Sequence, residues 1–134
     1  MSLTFSEYQQ LAARTINQNL TDDKVELHAL HEMASEVGEI HGIYQKIYQG
    51  HEPDDMELCL EVGDLLWGIA ELCTVHGWDM GVVAERNILK LKKRYPDGFD
   101  TERSVHREGE HLLQVYCSTQ KVANGTRQTV YSMN

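Results

Sequence analysis

Two pairs of acids, each pair three residues apart, are the residues in this sequence best placed to do chemistry. They are Glu36 and Glu39 in Met33-Ala-Ser-Glu-Val-Gly-Glu-Ile40, and Glu61 and Asp64 in Leu60-Glu-Val-Gly-Asp-Leu-Leu-Trp67. Residues three apart share a face of an α-helix, so each segment, if helical, presents a two-carboxylate edge. On neighbouring antiparallel helices the four carboxylates converge on one spot. Like charges that close repel and raise one another's pKa values unless cations occupy the space between them. A ligand set of oxygen alone suits Mg2+ or Mn2+ better than Zn2+. One such pair is an ordinary solvated helix face. Two pairs inside apolar repeats, with no Lys or Arg at the intervening positions, favour a metal site.

A divalent ion held there would polarise a phosphoryl group and lower the pKa of bound water, and two ions roughly 4 Å apart would stabilise both sides of an in-line displacement. Phosphates would then need cations of their own. Lys46 lies near the end of the first acid-bearing helix, and Asn87, Lys90 and Arg94 follow one another at helical spacing further on. Asn87 brings both a donor and an acceptor. Trp67, three residues after Asp64, can stack on a base or fill a helix interface. Each of these alone is an ordinary solvated or packing side chain; together they form a phosphate-facing rim. Glu32 is read as solvent-facing and Glu71 as structural.

A competing metal site would use His28, His31 and His41 with His51 in the following turn. The ten-residue step from His31 to His41 offsets them around the helix, and no His-Glu-x-x-His motif is present. Ser35 and Ser118 lack the companions of a nucleophilic triad, and no Walker-type phosphate loop occurs. A non-enzymatic alternative is an oligomeric helical protein that binds a partner through its acidic face.

The elements that must position these residues are helices. Thr4 and Glu7 have capping-box spacing ahead of a stripe from Phe5 to Ile16, which predicts a first helix ending near Asn19. Thr21 or Asp22 caps a second, whose apolar residues run from Val25 through Leu30, Val37 and Tyr44 to Ile47, ending near Gly50. Glu52-Pro-Asp-Asp55 is a turn into a third helix, from about Asp55 to His76, with an apolar surface broad enough for more than one neighbour. Gly38, Gly63 and Gly68 each cost about 1 kcal/mol in a helix interior, so they imply either close packing or room beside the acids. Asp79 caps a fourth helix that Pro96 stops, and Phe99 is expected to turn back into the core. Beyond Asp100 the periodicity is weak, with a short helix expected over His106 to Cys117 and a short strand near Thr129 to Tyr131. The fold class is therefore all-α: a compact antiparallel bundle of four main helices, residues 1–99, with a variable C-terminal extension, residues 100–134, whose last dozen residues read either as a loose tail or as an arm onto a neighbouring subunit.

Composition narrows the function further. A chain of 134 residues fits one domain able to bury roughly two-thirds of its unfolded surface. A formal net charge of −9, from 21 acids against 12 Lys and Arg, argues against general binding to nucleic-acid backbones. It leaves nucleotides open, because a bound cation inverts the local potential of a carboxylate cluster. Cys59, Cys73 and Cys117 form no Cys-x-x-Cys pair and are read as reduced thiols. No basic flank and apolar core of a leader begins the sequence, and no apolar run approaches the ~20 residues that cross a bilayer. A cytosolic protein, of a bacterium or a phage-infected host, that binds neither membrane nor nucleic acid is expected.

From Leu30 to Phe99 the sequence resembles the MazG-like all-α nucleoside triphosphate pyrophosphohydrolases. The resemblance is carried by Glu36-Val-Gly-Glu39, by Glu61-Val-Gly-Asp-Leu-Leu-Trp67, and by Asn87-Ile-Leu-Lys-Leu-Lys-Lys-Arg-Tyr-Pro96 followed by Gly98-Phe99. It implies Mg2+-dependent attack of water at the α-phosphorus of a nucleoside triphosphate, giving nucleoside monophosphate and pyrophosphate; a deoxynucleoside triphosphate is the expected partner, though the sequence itself does not choose between deoxy and ribo. The metal ligands it implies are Glu36, Glu39, Glu61 and Asp64. Either Glu36 or Glu39 would help activate the water, Lys46 and Lys90 would stabilise charge on the phosphates, and Asn87 and Arg94 would join them in substrate binding. It also implies assembly as a homodimer or homotetramer.

Overall fold

The computed structural model describes residues 2–106, together with the backbone of 117–121 and 127–131. The chain is all-α in its body and divides into two compact units, Met1–His76 and Gly77–Asn134.

The first unit opens with helix α1, Phe5–Ala12, closed at its start by the expected capping box. The Glu7 amide donates to Thr4 Oγ1 at 3.2 Å, and the Thr4 amide donates to Glu7 Oε2 at 2.8 Å. The helix stops short of Asn19, tightening into a 3-10 turn at Ala13–Thr15. Local side-chain bonds compete with the helix here: the Thr15 hydroxyl donates to the Ala12 carbonyl at 2.8 Å, and Asn17 Oδ1 accepts from the Asn19 amide at 3.0 Å. Helix α2, Asp22–Tyr48, follows Thr21, with Asp22 and Asp23 favourably placed in its first turn. Gly50, at φ +91°, takes the left-handed conformation that ends it. Helix α3, Asp55–His76, begins where Asp54 Oδ1 accepts from the amides of Met56 and Glu57 at 2.9 and 3.0 Å.

Helices α2 and α3 are antiparallel, since the end of α2 meets the start of α3 at Lys46 and Glu57, while His28 meets Glu71 at the opposite end. Val25, Ala29 and Ile43 of α2 and Ala70 and Cys73 of α3 are buried. Gly68 explains one point of closest approach: a Cβ there would stand 2.8 Å from Met33 Cγ. Side-chain bonds tie the N-terminal segment to α3. Gln9 Nε2 donates to Thr74 Oγ1 at 3.2 Å, and Trp67 Nε1 donates to Thr15 Oγ1 at 2.8 Å.

In the second unit, helix α4, Met80–Arg94, starts with Asp79 Oδ1 accepting from the Val82 amide at 3.1 Å, as expected for its cap, and ends at Tyr95, before Pro96. Phe99 departs from expectation. It is 77% exposed, its ring lying 5.5 Å from that of Tyr95 instead of returning to the core. Pro96-Asp-Gly98, with Gly98 at φ +99°, turns the chain locally, and the neighbouring Tyr95 ring supplies the contact. A short helix α5, Thr101–Val105, follows. Strands β1, Cys117–Lys121, and β2, Arg127–Tyr131, pair antiparallel with Cys117 opposite Tyr131, so the strand expected near Thr129 is the end of β2. The helix expected from His106 to Cys117 lies outside the described residues over 107–116, and Cys117 itself begins β1. Among the described residues no helix is long and apolar enough to cross a membrane.

Candidate metal centre

The antiparallel α2–α3 pair brings three of the four acids together. Carboxylate oxygens of Glu36, Glu61 and Asp64 all lie within 4.8 Å of one another, with Glu36 and Glu61 half-buried and Asp64 exposed. Opposite ligands of an octahedral Mg2+ stand about 4.2 Å apart, so this set could close on one ion with small side-chain adjustments. Among the described residues no Lys, Arg or His forms an ion pair with any of the three. The cost of that arrangement falls on Glu36, whose carboxyl is held above the usual range. Burial is the largest cause, then a hydrogen bond with Glu61, then the charges of Glu32, Asp64 and Glu61. A donor set of hard oxygens whose mutual repulsion a divalent cation would relieve fits Mg2+ or Mn2+.

Glu39 stands apart from this triad and is exposed. Residues three apart are offset by about 60° around a helix, so the two acids of a pair need not both reach one spot, and Glu39 is not among the carboxylates that meet there. Gly38 and Gly63, each inside one acid pair, have open space where a Cβ would be, in contrast to Gly68. The room expected beside the acids is therefore present at two of the three glycines, and tight packing accounts for the third. Tyr8 of α1 is within electrostatic reach of the cluster: its phenol is pushed up by burial first and by the charge of Asp64 second.

The rim residues are distributed as follows. Lys46, in the last turn of α2, donates to Glu57 Oε1 at 3.0 Å. Trp67 uses its indole N–H on Thr15 and meets the His28 ring edge to face, the ring centroids 6.0 Å apart and the planes at 87°. Asn87 and Lys90 are exposed on α4 in the second unit, and Arg94 lies with its guanidinium 5.8 Å from the Tyr95 ring centroid.

Spacing did not reveal the pairing of His28 with Glu71. Glu71 is 2% exposed, and its Oε2 lies 2.7 Å from His28 Nδ1. The two residues are 43 positions apart, so only the packing of α2 on α3 unites them. A lone acid inside the apolar stretch Leu65–Cys73 was the available signal. His28 is thereby engaged by a carboxylate, and no His28–His31–His41 metal cluster forms among the described residues.

The family model of the MazG nucleotide pyrophosphohydrolase domain matches residues 24–99, more than half of the chain, and this span contains all three clustered carboxylates. No curated protein and no solved structure matches the chain.

Proposed function

Because the chain belongs to the MazG nucleotide pyrophosphohydrolase family, we propose that it hydrolyses nucleoside triphosphates, deoxy by preference, to nucleoside monophosphate and pyrophosphate, controlling or cleansing the cytosolic nucleotide pool. The observation that carries this reading is the Glu36–Glu61–Asp64 cluster, three mutually close carboxylates with no ion pair to a cationic side chain among the described residues, inside the matched span. These three would hold Mg2+ or Mn2+, and Glu39, which stands outside their group, would join as the fourth ligand only by a change of side-chain rotamer. When bound, the metal neutralises charge on phosphoryl oxygens and acidifies water.

The remaining work falls to the chain itself. Water attacks the α-phosphorus, the bond from that phosphorus to its bridging oxygen breaks, and pyrophosphate leaves. Glu36 or Glu39 takes the proton of the attacking water. Lys46 and Lys90 stabilise the charge that grows on the phosphates, where electrostatic binding accelerates reaction most. Asn87 and Arg94 hold the substrate with them, and Trp67 borders the nucleoside end. Exposed apolar residues on α2 and α3, among them Leu30, Val37, Leu60 and Val62, support assembly of a homodimer or homotetramer.

The test is a product-resolved assay of the purified chain against canonical and modified ribo- and deoxynucleoside triphosphates, with Mg2+ or Mn2+ and a chelator control. Metal-dependent release of monophosphate and pyrophosphate in equal amounts is expected. Folded protein that yields neither product with either metal would instead support a non-catalytic helical interaction protein.

A further inference from the structure

The Glu71–His28 pair plays no part in that chemistry, yet it is expensive to maintain. Burying a carboxylate in a helix interface is costly unless it is paired and hydrogen-bonded, and Glu71 is 2% exposed. Its partner is not another core residue. The His28 side chain is 47% exposed, so the buried acid grips an imidazole that faces outward. Nδ1 is engaged at 2.7 Å, and among the described residues Nε2 has no hydrogen-bond partner. The ring is fixed from a second side by Trp67, itself held by Thr15. A carboxylate behind one ring nitrogen, with the other presented outward, is the arrangement that orients an imidazole for work on a ligand.

Its position says which part of a ligand. His28, Glu32 and Glu36 succeed one another at intervals of four on α2, while Asp64, Trp67 and Glu71 do so at three and four on α3, so pair and cluster lie along one seam. His28 is about 12 Å of helix rise from Glu36, too far to share an ion with it. The pair carries no net positive charge when the imidazole is protonated, and Glu32 adds negative charge nearby. A phosphate therefore gains little there, whereas a neutral acceptor gains a hydrogen bond. Resting on the nucleotide-hydrolysis reading above, we propose that His28 is a specificity contact, its Nε2 meeting a base or sugar oxygen of the bound nucleotide, and that Glu71 is its positioning residue. Hydrogen bonding to Glu71 raises the imidazole pKa and so favours the doubly protonated ring, which makes Nε2 a donor.

The experiment compares the full chain with His28→Asn, which keeps a polar atom for Glu71 but deletes Nε2, and with His28→Gln, which restores a donor near the Nε2 position. Calorimetric titrations use Mn2+ alone, then pyrophosphate and each of the four deoxynucleoside monophosphates in the presence of Mn2+. We expect His28→Asn to weaken the best-bound monophosphate at least tenfold while leaving Mn2+ and pyrophosphate within twofold, and His28→Gln to recover part of the loss. Glu71→Gln should fall between wild type and His28→Asn. Unchanged monophosphate binding, or equal weakening of all three probes, overturns the proposal and leaves the pair a structural clamp. If the wild-type chain binds Mn2+ but neither monophosphate nor pyrophosphate, the nucleotide-hydrolysis reading itself fails and takes this one with it.

Discussion

Lys46 Nζ lies 3.0 Å from Glu57 Oε1, an ion pair that joins the last turn of α2 to the first turn of α3. Both side chains are substantially exposed, at 54% and 41%, so the pair contributes roughly 0.2–1 kcal/mol. If Lys46 stabilises substrate phosphates, Glu57 competes with them for the same ammonium group. Glu57→Gln is then expected to lower KM for the triphosphate by up to about fivefold at low ionic strength, with kcat within twofold. Lys46→Ala should raise KM instead. Steady-state kinetics at two salt concentrations would check both, and a KM indifferent to Glu57→Gln at low salt would separate Lys46 from the phosphate site.

The carboxylate cluster predicts effects of opposite sign on stability and on metal binding. Without a cation, Glu36 is strained by burial and by its acidic neighbours, so Glu36→Gln should leave the metal-free protein as stable as wild type or more so. A cation that binds only the folded chain stabilises it by about 2.7 kcal/mol at a hundred times its Kd. Mg2+ should therefore raise the melting temperature of wild type and fail to raise that of Glu36→Gln or Asp64→Asn, each variant keeping its helical circular dichroism and losing at least a hundredfold in turnover. An undiminished Mg2+ shift in Asp64→Asn would remove that residue from the ligand set.

How much of this was legible in the sequence depended on whether the cause was local. The capping box at Thr4 and Glu7, the Asp79 cap and the stop at Pro96 are determined by residues a few positions apart, and each was readable there. Helical spacing also exposed the acid pairs, though it could not say that Glu39 would stand outside the group formed by the other three, because that depends on how α2 is rotated against α3. Apolar periodicity overruns the end of α1 because Thr15 and Asn17 draw on nearby backbone, a competition that periodicity does not register. The contacts His28–Glu71, Thr15–Trp67 and Lys46–Glu57 span 43, 52 and 11 residues and exist only once the helices are packed. At Phe99 hydrophobicity alone does not distinguish a core plug from a ring resting on its neighbour Tyr95.

The His28–Glu71 bond also makes a prediction about pH. The imidazole is held above its ordinary range chiefly by its hydrogen bond to Glu71, with burial opposing and the charges of Glu71 and Glu32 assisting. Folding thus favours the protonated ring. Its stabilising effect is complete below the unfolded value of about 6.5 and is lost as pH rises through the higher folded value. Wild type should lose melting temperature relative to His28→Asn as pH is raised from about 6.5, while the difference between the two is constant at lower pH. Parallel pH profiles for the two proteins would show that the bond does not hold the proton, and titration of the His28 ring signals by NMR would locate the transition directly.

Gly63 and Gly68, five residues apart on α3, should respond oppositely to the same substitution. Ala at position 68 would bring its Cβ within 2.8 Å of Met33 Cγ and 3.4 Å of the Met33 backbone nitrogen, so the α2–α3 seam must open or Met33 must move. Overpacking of this kind costs roughly 1–3 kcal/mol, offset only in part by the better helix propensity of Ala. At position 63 a Cβ meets nothing within 4 Å, and Gly63→Ala should therefore stabilise the helix by up to about 1 kcal/mol. That space borders Glu61 and Asp64. If substrate occupies it, the stabilised variant will show higher KM, or lose turnover, despite its higher melting temperature. Denaturant unfolding of both variants, paired with kinetics of Gly63→Ala, measures the two effects separately. A more stable Gly63→Ala with wild-type kinetics would mean that the glycine leaves room for something other than the nucleotide.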